Sequence, residues 1–138
     1  MTFNDILHKF RSESFTQKDK GTQFERLMRS WLLSDPRYSN LTKVWLWDDF
    51  PSRADLGGKD TGIDLVARTE EGDYWAIQCK CYKEDSVIDK PAVDSFLATS
   101  SRQFKDPETL QTTSFAKRMW ISTTNHWGKN AEDAIQNQ

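Results

Sequence analysis

Between Ile63 and Tyr82 apolar and polar side chains alternate on both sides of a short turn, and this period of two constrains the fold more than any other feature. Ile63, Leu65 and Ala67 alternate with Asp64, Val66 and Arg68. Beyond the turn TEEGD, Trp75, Ile77, Cys79 and Cys81 alternate with Ala76, Gln78, Lys80 and Tyr82. The pattern predicts a β-hairpin with one apolar face, leaving Asp64, Gln78 and Lys80 together on the other. A connecting loop of five residues, Thr69 to Asp73, sets Arg68 opposite Tyr74 and Asp64 opposite Gln78, with a Cβ spacing of about 5 Å and Lys80 on the diagonal. A loop one residue shorter pairs Asp64 with Cys79 and turns Asp64 among the apolar residues, so the periodicity selects the first register.

The flanking segments supply helices and further strands. Phe3, Ile6, Leu7 and Phe10 after Thr2 predict a short amphipathic helix, followed by a polar connection from Arg11 to Lys20. From Thr22, the residues Phe24, Leu27, Met28, Trp31 and Leu32 recur at helical spacing up to Pro36. Branched and aromatic residues predict a strand over Val44–Trp47, and a loop from Pro51 through Gly58. Pro91 suits a helix start, and Val93, Phe96, Leu97 and Ser100 continue that helix to about Phe104. After the polar connection KDPETLQTTS, Arg118–Ser122 reads as a strand, and Asn125 to Gln138 as a loop feeding a helix. This succession predicts an α/β domain in which the long connection through Pro91 crosses over to a parallel strand. The 138 residues suffice for one domain and not for two ordinary ones. The last helix has no Gly or Pro stop, which suggests a piece of a longer polypeptide.

Six Trp, eight Phe and three Tyr against six Gly and four Pro exclude a disordered or collagen-like chain. Cys79 and Cys81, two apart on one strand, cannot bond to each other, which points to a reducing, cytoplasmic setting. No segment approaches the roughly 20 apolar residues of a membrane span, and the N-terminus lacks the apolar core of a signal peptide. With 19 Lys and Arg against 21 Asp and Glu, the net charge of −2 disfavours a dedicated nucleic-acid binder. A nuclease remains compatible, because its carboxylates serve a cation that supplies positive field.

The polar face of the hairpin carries one carboxylate, one amide and one ammonium. Hard cations such as Mg2+ take oxygen ligands, which Asp64 and Gln78 offer, while they keep waters for chemistry. Lys80, as an ammonium, cannot ligate, but it can hold a water or neutralise charge on a phosphoryl oxygen. On spacing alone an ordinary surface ion pair between Asp64 and Lys80 is the commoner meaning. Thr22 and Glu25 also fit a helix capping box, and Glu25 with Arg29 an i, i+4 pair.

The segments GTQFERLM (Gly21 to Met28), DTGIDLVART (Asp60 to Thr69), WAIQCK (Trp75 to Lys80) and WISTTNHWGKNAEDA (Trp120 to Ala134) together resemble the Mrr-like branch of the PD-(D/E)xK nucleases. Within that branch they are similar to the N-terminal nuclease domain of the single-polypeptide, ATP-dependent Type ISP restriction-modification enzymes. The resemblance implies a restriction-endonuclease-like αβββαβ core with a mixed central sheet flanked by helices. It places the motif Asp at Asp64, the Q-x-K motif at Gln78 and Lys80, and the helical Glu at Glu25. It further implies Mg2+ held by Asp64, Gln78 and Glu25, with Mn2+ as a substitute, and hydrolysis of double-stranded DNA. A helicase-like motor, a methyltransferase and a target-recognition region would follow in the same chain. The expected organisation is one nuclease domain over residues 1–138, with residues 1–20 as helix and connection and 21–138 as the core. Gln78 departs from the superfamily's usual Glu, a variation that the Mrr-like branch shares and that bears on metal affinity.

Other candidates point to ordinary roles. GGKD (Gly57 to Asp60) lacks the rest of a phosphate-binding loop, so no nucleotide is expected here. His8 and His126 are isolated, the two Cys suit a core, and Trp45, Trp47, Trp75 and Trp120 suit strand packing. Lys83, Lys90, Arg102 and Lys129 read as solvated surface before phosphate contacts. A stand-alone Mrr-like or junction-cutting nuclease is a related reading. A catalytically silent nuclease-like fold acting as a DNA-binding or docking module is the rival, against which the complete Asp64, Gln78, Lys80 set argues.

Overall fold

The computed structural model describes residues 17–57, 62–80 and 90–122. The expected helices at Thr2–Phe10 and Asn125–Gln138, together with His8, Gly58 to Asp60, Cys81, Lys83, His126 and Lys129, lie outside the described residues.

The first described helix, α1, spans Gln17–Ser34. Phe24, Met28 and Leu32, four residues apart, are fully buried along one stripe, with Leu27 and Trp31 packed partly beside them. The helix begins five residues before Thr22, so Thr22 lies inside it and the capping-box reading of Thr22 and Glu25 does not apply. Nor is Arg29 paired with Glu25: its Nε donates to the carbonyl of Val44 at 2.6 Å, tying the helix to an edge strand. Asp35 ends the helix region by accepting the backbone N–H of Arg37 at the head of a 3-10 turn, Pro36–Tyr38.

Five strands follow: β1 (Leu41–Leu46), β2 (Leu65–Thr69), β3 (Tyr74–Lys80), β4 (Gln103–Lys105) and β5 (Thr112–Ser122), with helix α2 (Lys90–Ser100) between β3 and β4. The sheet order is β1-β2-β3-β5-β4, antiparallel except for the parallel β3–β5 pair. The α/β class and the crossover to a parallel partner are thus as expected, with the short edge strand β4 in addition. Phe104 fits the helical spacing of α2 but lies in β4, paired with Thr113, because the chain leaves the helix after Ser100. The connection before β5 is not only solvent-facing. Asp106 is buried, and its Oδ1 accepts the Tyr74 hydroxyl at 2.9 Å and the N–H groups of Glu108 and Thr109.

The hairpin register agrees with the sequence pattern: Arg68 faces Tyr74 and Leu65 faces Ile77. Its faces are different from the simple expectation, because both are covered. Leu65, Ala67, Ile77 and Cys79 pack against α1, whereas Val66, Tyr74 and Ala76 pack with Trp47, Phe50, Phe96, Phe104 and Phe115 on the other side. The side expected to be polar is therefore a second core, and Gln78 at its end is only 2% exposed. Strands with helix or loop layers on both faces read as nearly continuous apolar runs, which explains Val66 and Ala76 at nominally polar positions.

Gly62 fixes the approach to Asp64. It sits at φ +77°, and a Cβ there would lie 3.0 Å from the backbone nitrogen of Phe96 in α2. Gly62→Ala combines a left-handed backbone with a collision against helix backbone, and should destabilise the fold by about 1–3 kcal/mol in urea denaturation. A loss below about 0.5 kcal/mol, the range of neutral surface changes, would contradict this close packing.

Candidate active site

At the C-terminal end of β3 the two layers part to leave a cleft of about 680 Å3. Its walls are α1, the 3-10 turn Trp47–Asp49 that follows β1, the Gly62–Asp64 segment and the first turns of α2. Glu25, Asp48, Asp64, Gln78 and Lys80 all line it. The structure therefore brings together Glu25, Asp64, Gln78 and Lys80, the four residues of the expected site, from three separate elements.

Asp64 is the best anchored of them. Its backbone N–H donates at 2.9 Å to the carbonyl of Ile77, the residue already paired with Leu65, so the β2–β3 ladder is irregular at Asp64. Its carbonyl accepts the N–H of Trp47, also at 2.9 Å, and its Oδ2 accepts the N–H of Cys79 at 2.8 Å. These bonds leave the second carboxylate oxygen for the cleft. Gln78, the residue after Ile77 on β3, is buried, and its Oε1 has no hydrogen-bond partner. A buried amide oxygen without a donor costs about 1–3 kcal/mol, and Oε1 gains a partner if a cation or a donor occupies the cleft. Lys80, half-exposed two residues further along β3, acts electrostatically on both Glu25 and Asp64.

Glu25 reaches the cleft from α1 and shares a hydrogen bond with Asp64. Burial, then the Asp64 charge and that hydrogen bond, then the Asp48 charge push the Glu25 carboxyl up to about 8, with Lys80 opposing. Burial also raises Asp64, against the Cys79 N–H, the Glu25 hydrogen bond and Lys80. Burial and the close approach of the two carboxyls disfavour ionisation of both together, so without a cation the pair tends to share a proton. Burial raises the Cys79 thiol well above its ordinary range, which suits a packing role.

Among the described residues no three carboxylate, thiol or imidazole groups cage an ion by themselves. The donor chemistry nevertheless fits a hard dication: a partly free carboxylate, a second carboxyl held protonated until its charge is needed, and the orphaned Gln78 oxygen. The sequence reading passed over Asp48. The signal was its position two residues past the end of β1, whose last pair, Leu46 with Leu65, adjoins Asp64. Lys90, by contrast, pairs with Asp94, and Arg102 bonds the carbonyl of Asp55, both apart from the cleft.

A mixed five-stranded sheet with helices, and a carboxylate-lined cleft at the end of its central hairpin, is a restriction-endonuclease-like architecture. Residues 33–138 match the family model Mrr_cat_2, described as a restriction endonuclease, and the chain belongs to that family. Among solved structures it is similar to the ATP-dependent Type ISP restriction-modification enzyme LlaBIII bound to DNA, with 28% identity and a TM-score of 0.66. That similarity covers 100% of this chain and 8% of the other, so the chain spans a small part of that enzyme's length. The comparison with curated proteins gives no match. Glu25 precedes the matched range and reaches the cleft through α1.

The raised Glu25 carboxyl has a thermodynamic signature. Between its ordinary value of 4.5 and about 8, the folded chain keeps a proton that the unfolded chain has released, so rising pH weakens the fold through this window. Glu25→Gln mimics the protonated form and can still donate to Asp64. In EDTA, wild-type stability should fall relative to Glu25→Gln between pH 5 and pH 8, followed by urea midpoints. A difference independent of pH would contradict the shared proton.

Proposed function

We propose that the chain, as a single nuclease domain, hydrolyses phosphodiester bonds of double-stranded DNA with a divalent cation, Mg2+ or Mn2+, at the cleft. The observation that carries this reading is the buried Gln78, whose Oε1 has no partner and which lines one cleft with Asp64, Glu25 and Lys80. Asp64, Gln78 and Glu25 would hold the cation, and no nucleotide is bound by this domain. When bound, the cation polarises the phosphoryl oxygen and makes water a stronger nucleophile. Asp64, fixed by the Cys79 N–H, orients its free oxygen into the cleft. Glu25 gives up its proton when the cation arrives, so loading releases a proton. Lys80 donates hydrogen bonds to the attacking water and offsets the charge that develops on the phosphoryl oxygens. The small share of the LlaBIII chain that is matched supports a further proposal. The domain would act within a longer restriction-modification polypeptide, where motor, methyltransferase and target-recognition regions hold it near DNA at high effective concentration. Such tethering also suits a net charge of −2, which gives little affinity for DNA by itself.

Asp64→Ala should abolish Mg2+-dependent cleavage of duplex DNA, and Lys80→Ala should lower the rate by roughly 10²- to 10⁴-fold, with both variants folded by circular dichroism. Gln78→Glu should bind Mg2+ more tightly in calorimetry and keep some cleavage, whereas Gln78→Leu, which lacks the oxygen, should bind and cleave poorly. Wild-type cleavage in folded Asp64→Ala would end the catalytic assignment. Equal metal affinity in wild type, Gln78→Glu and Gln78→Leu would remove Gln78 from the cation site.

A further inference from the structure

Asp48 is an acidic side chain of the cleft to which the catalytic reading gives no task. It occupies the 3-10 turn Trp47–Asp49 and is exposed, and among the described residues no side-chain hydrogen bond or ion pair engages it. The turn is not loose. Trp47 is buried in the second core, its N–H is bound to the Asp64 carbonyl at 2.9 Å, and Phe50, fully buried, closes the turn with an N–H to the Trp47 carbonyl at 3.1 Å. Asp48 is thereby held in register with Asp64, on the wall of the cleft that faces Glu25.

Acidic side chains lining a cleft do not by themselves make a site. The second observation is Gln78, which lines the same cleft, is 2% exposed, and has a side-chain Oε1 with no hydrogen-bond partner. A buried amide oxygen calls for a positive or hydrogen-bearing occupant, and Lys80, the nearby cation on its own strand, does not bond it. Among the described residues no three carboxylates converge closely enough to cage an ion directly. Mg2+ commonly keeps several of its waters and takes only one or two carboxylates. A carboxylate one water further out then orients those waters, and such outer partners typically contribute 10- to 100-fold in metal affinity.

We propose that Asp48 is a further residue of the cation site, a positioning carboxylate that holds the waters of a divalent cation bound at Asp64 and Gln78. The proposal rests on the cation-dependent reading of the cleft. Glu25 on α1 and Asp48 on the turn after β1 line the same cleft, and both would offer it negative charge. Asp49, adjacent in the chain and also at the cleft, is the internal control: it has the same charge, but only Asp48 bears on Glu25 electrostatically.

The test is a Mn2+ titration of the chain followed by electron paramagnetic resonance, in wild type and in Asp48→Asn, Asp49→Asn and Asp64→Asn. Asp48→Asn should weaken Mn2+ binding at least tenfold, Asp49→Asn less than threefold, and Asp64→Asn should abolish it. Metal-free unfolding midpoints should stay alike for wild type, Asp48→Asn and Asp49→Asn, so that a change in affinity is not a change in folding. Equal weakening by Asp48→Asn and Asp49→Asn, or no weakening by Asp48→Asn while Asp64→Asn still abolishes binding, overturns the role of Asp48 and leaves the cation site standing. Absence of Mn2+ binding by the wild type overturns both.

Discussion

The antiparallel register of β2 and β3 is the constraint on which the rest of the site depends. The register ends with Leu65 opposite Ile77, and the Asp64 N–H bonds the carbonyl of that same Ile77, which holds Asp64 at the end of the ladder, next to Gln78. A slip of one residue would set Asp64 on the same face as Cys79, against α1 and away from Gln78 and Lys80. The turn that sets the register is itself closed by backbone and side-chain bonds: Thr69 N–H to the Asp73 carbonyl at 2.8 Å, and Asp73 N–H to the Thr69 hydroxyl at 3.0 Å. Gly72, at φ +90°, provides the left-handed residue that this turn needs. Hairpin closure and cleft geometry are therefore one structural event.

Two apolar layers convert that register into a site. On one side α1 lays Phe24, Met28 and Leu32 against the sheet, and the same helix carries Glu25 to the cleft. On the other, Phe50, Tyr74 and Phe104 form a cluster of tilted and edge-on aromatic contacts at ring separations of 5.4 to 6.2 Å, with Phe96 edge-on to Trp120 beside it. Packing on both faces is what buries Gln78 and much of Asp64. Burial in turn raises the Glu25 and Asp64 carboxyls and leaves the Gln78 oxygen without a donor. The core thus supports a polar centre that is poorly satisfied by the protein alone, a common condition of sites completed by a ligand.

The alternation around Asp64, Gln78 and Lys80 was legible because strand parity is a local property. A single register places all three, and the apolar stripe Phe24, Met28, Leu32 likewise orients Glu25. What the sequence hid was non-local. Val66 and Ala76 looked like interruptions of a polar face, since nothing local announces that a second layer will cover it. Phe104 matched the period of α2, and only pairing with Thr113 makes it a strand residue. Thr112, Ser114, Ala116 and Lys117 are exposed along β5, so its first half lacks the apolar signal of a strand. Asp48 went unread because its place in the cleft comes from Trp47 docking beside Asp64, a contact between segments 17 residues apart in the bond from Trp47 to Asp64.

The central claim is that Asp64 and the buried Gln78 oxygen receive a divalent cation, and paramagnetic broadening by Mn2+ tests it most directly. In a 15N-labelled sample, substoichiometric Mn2+ should first erase the Gln78 side-chain amide and the Cys79 backbone amide, whose N–H lies 2.8 Å from Asp64 Oδ2. The amides of Glu108 and Thr109 beside Asp106, at the other end of β3, should persist. If the Glu108 and Thr109 amides broaden first, or if the Gln78 and Cys79 signals survive saturating Mn2+, the cation does not bind at the cleft and the account fails.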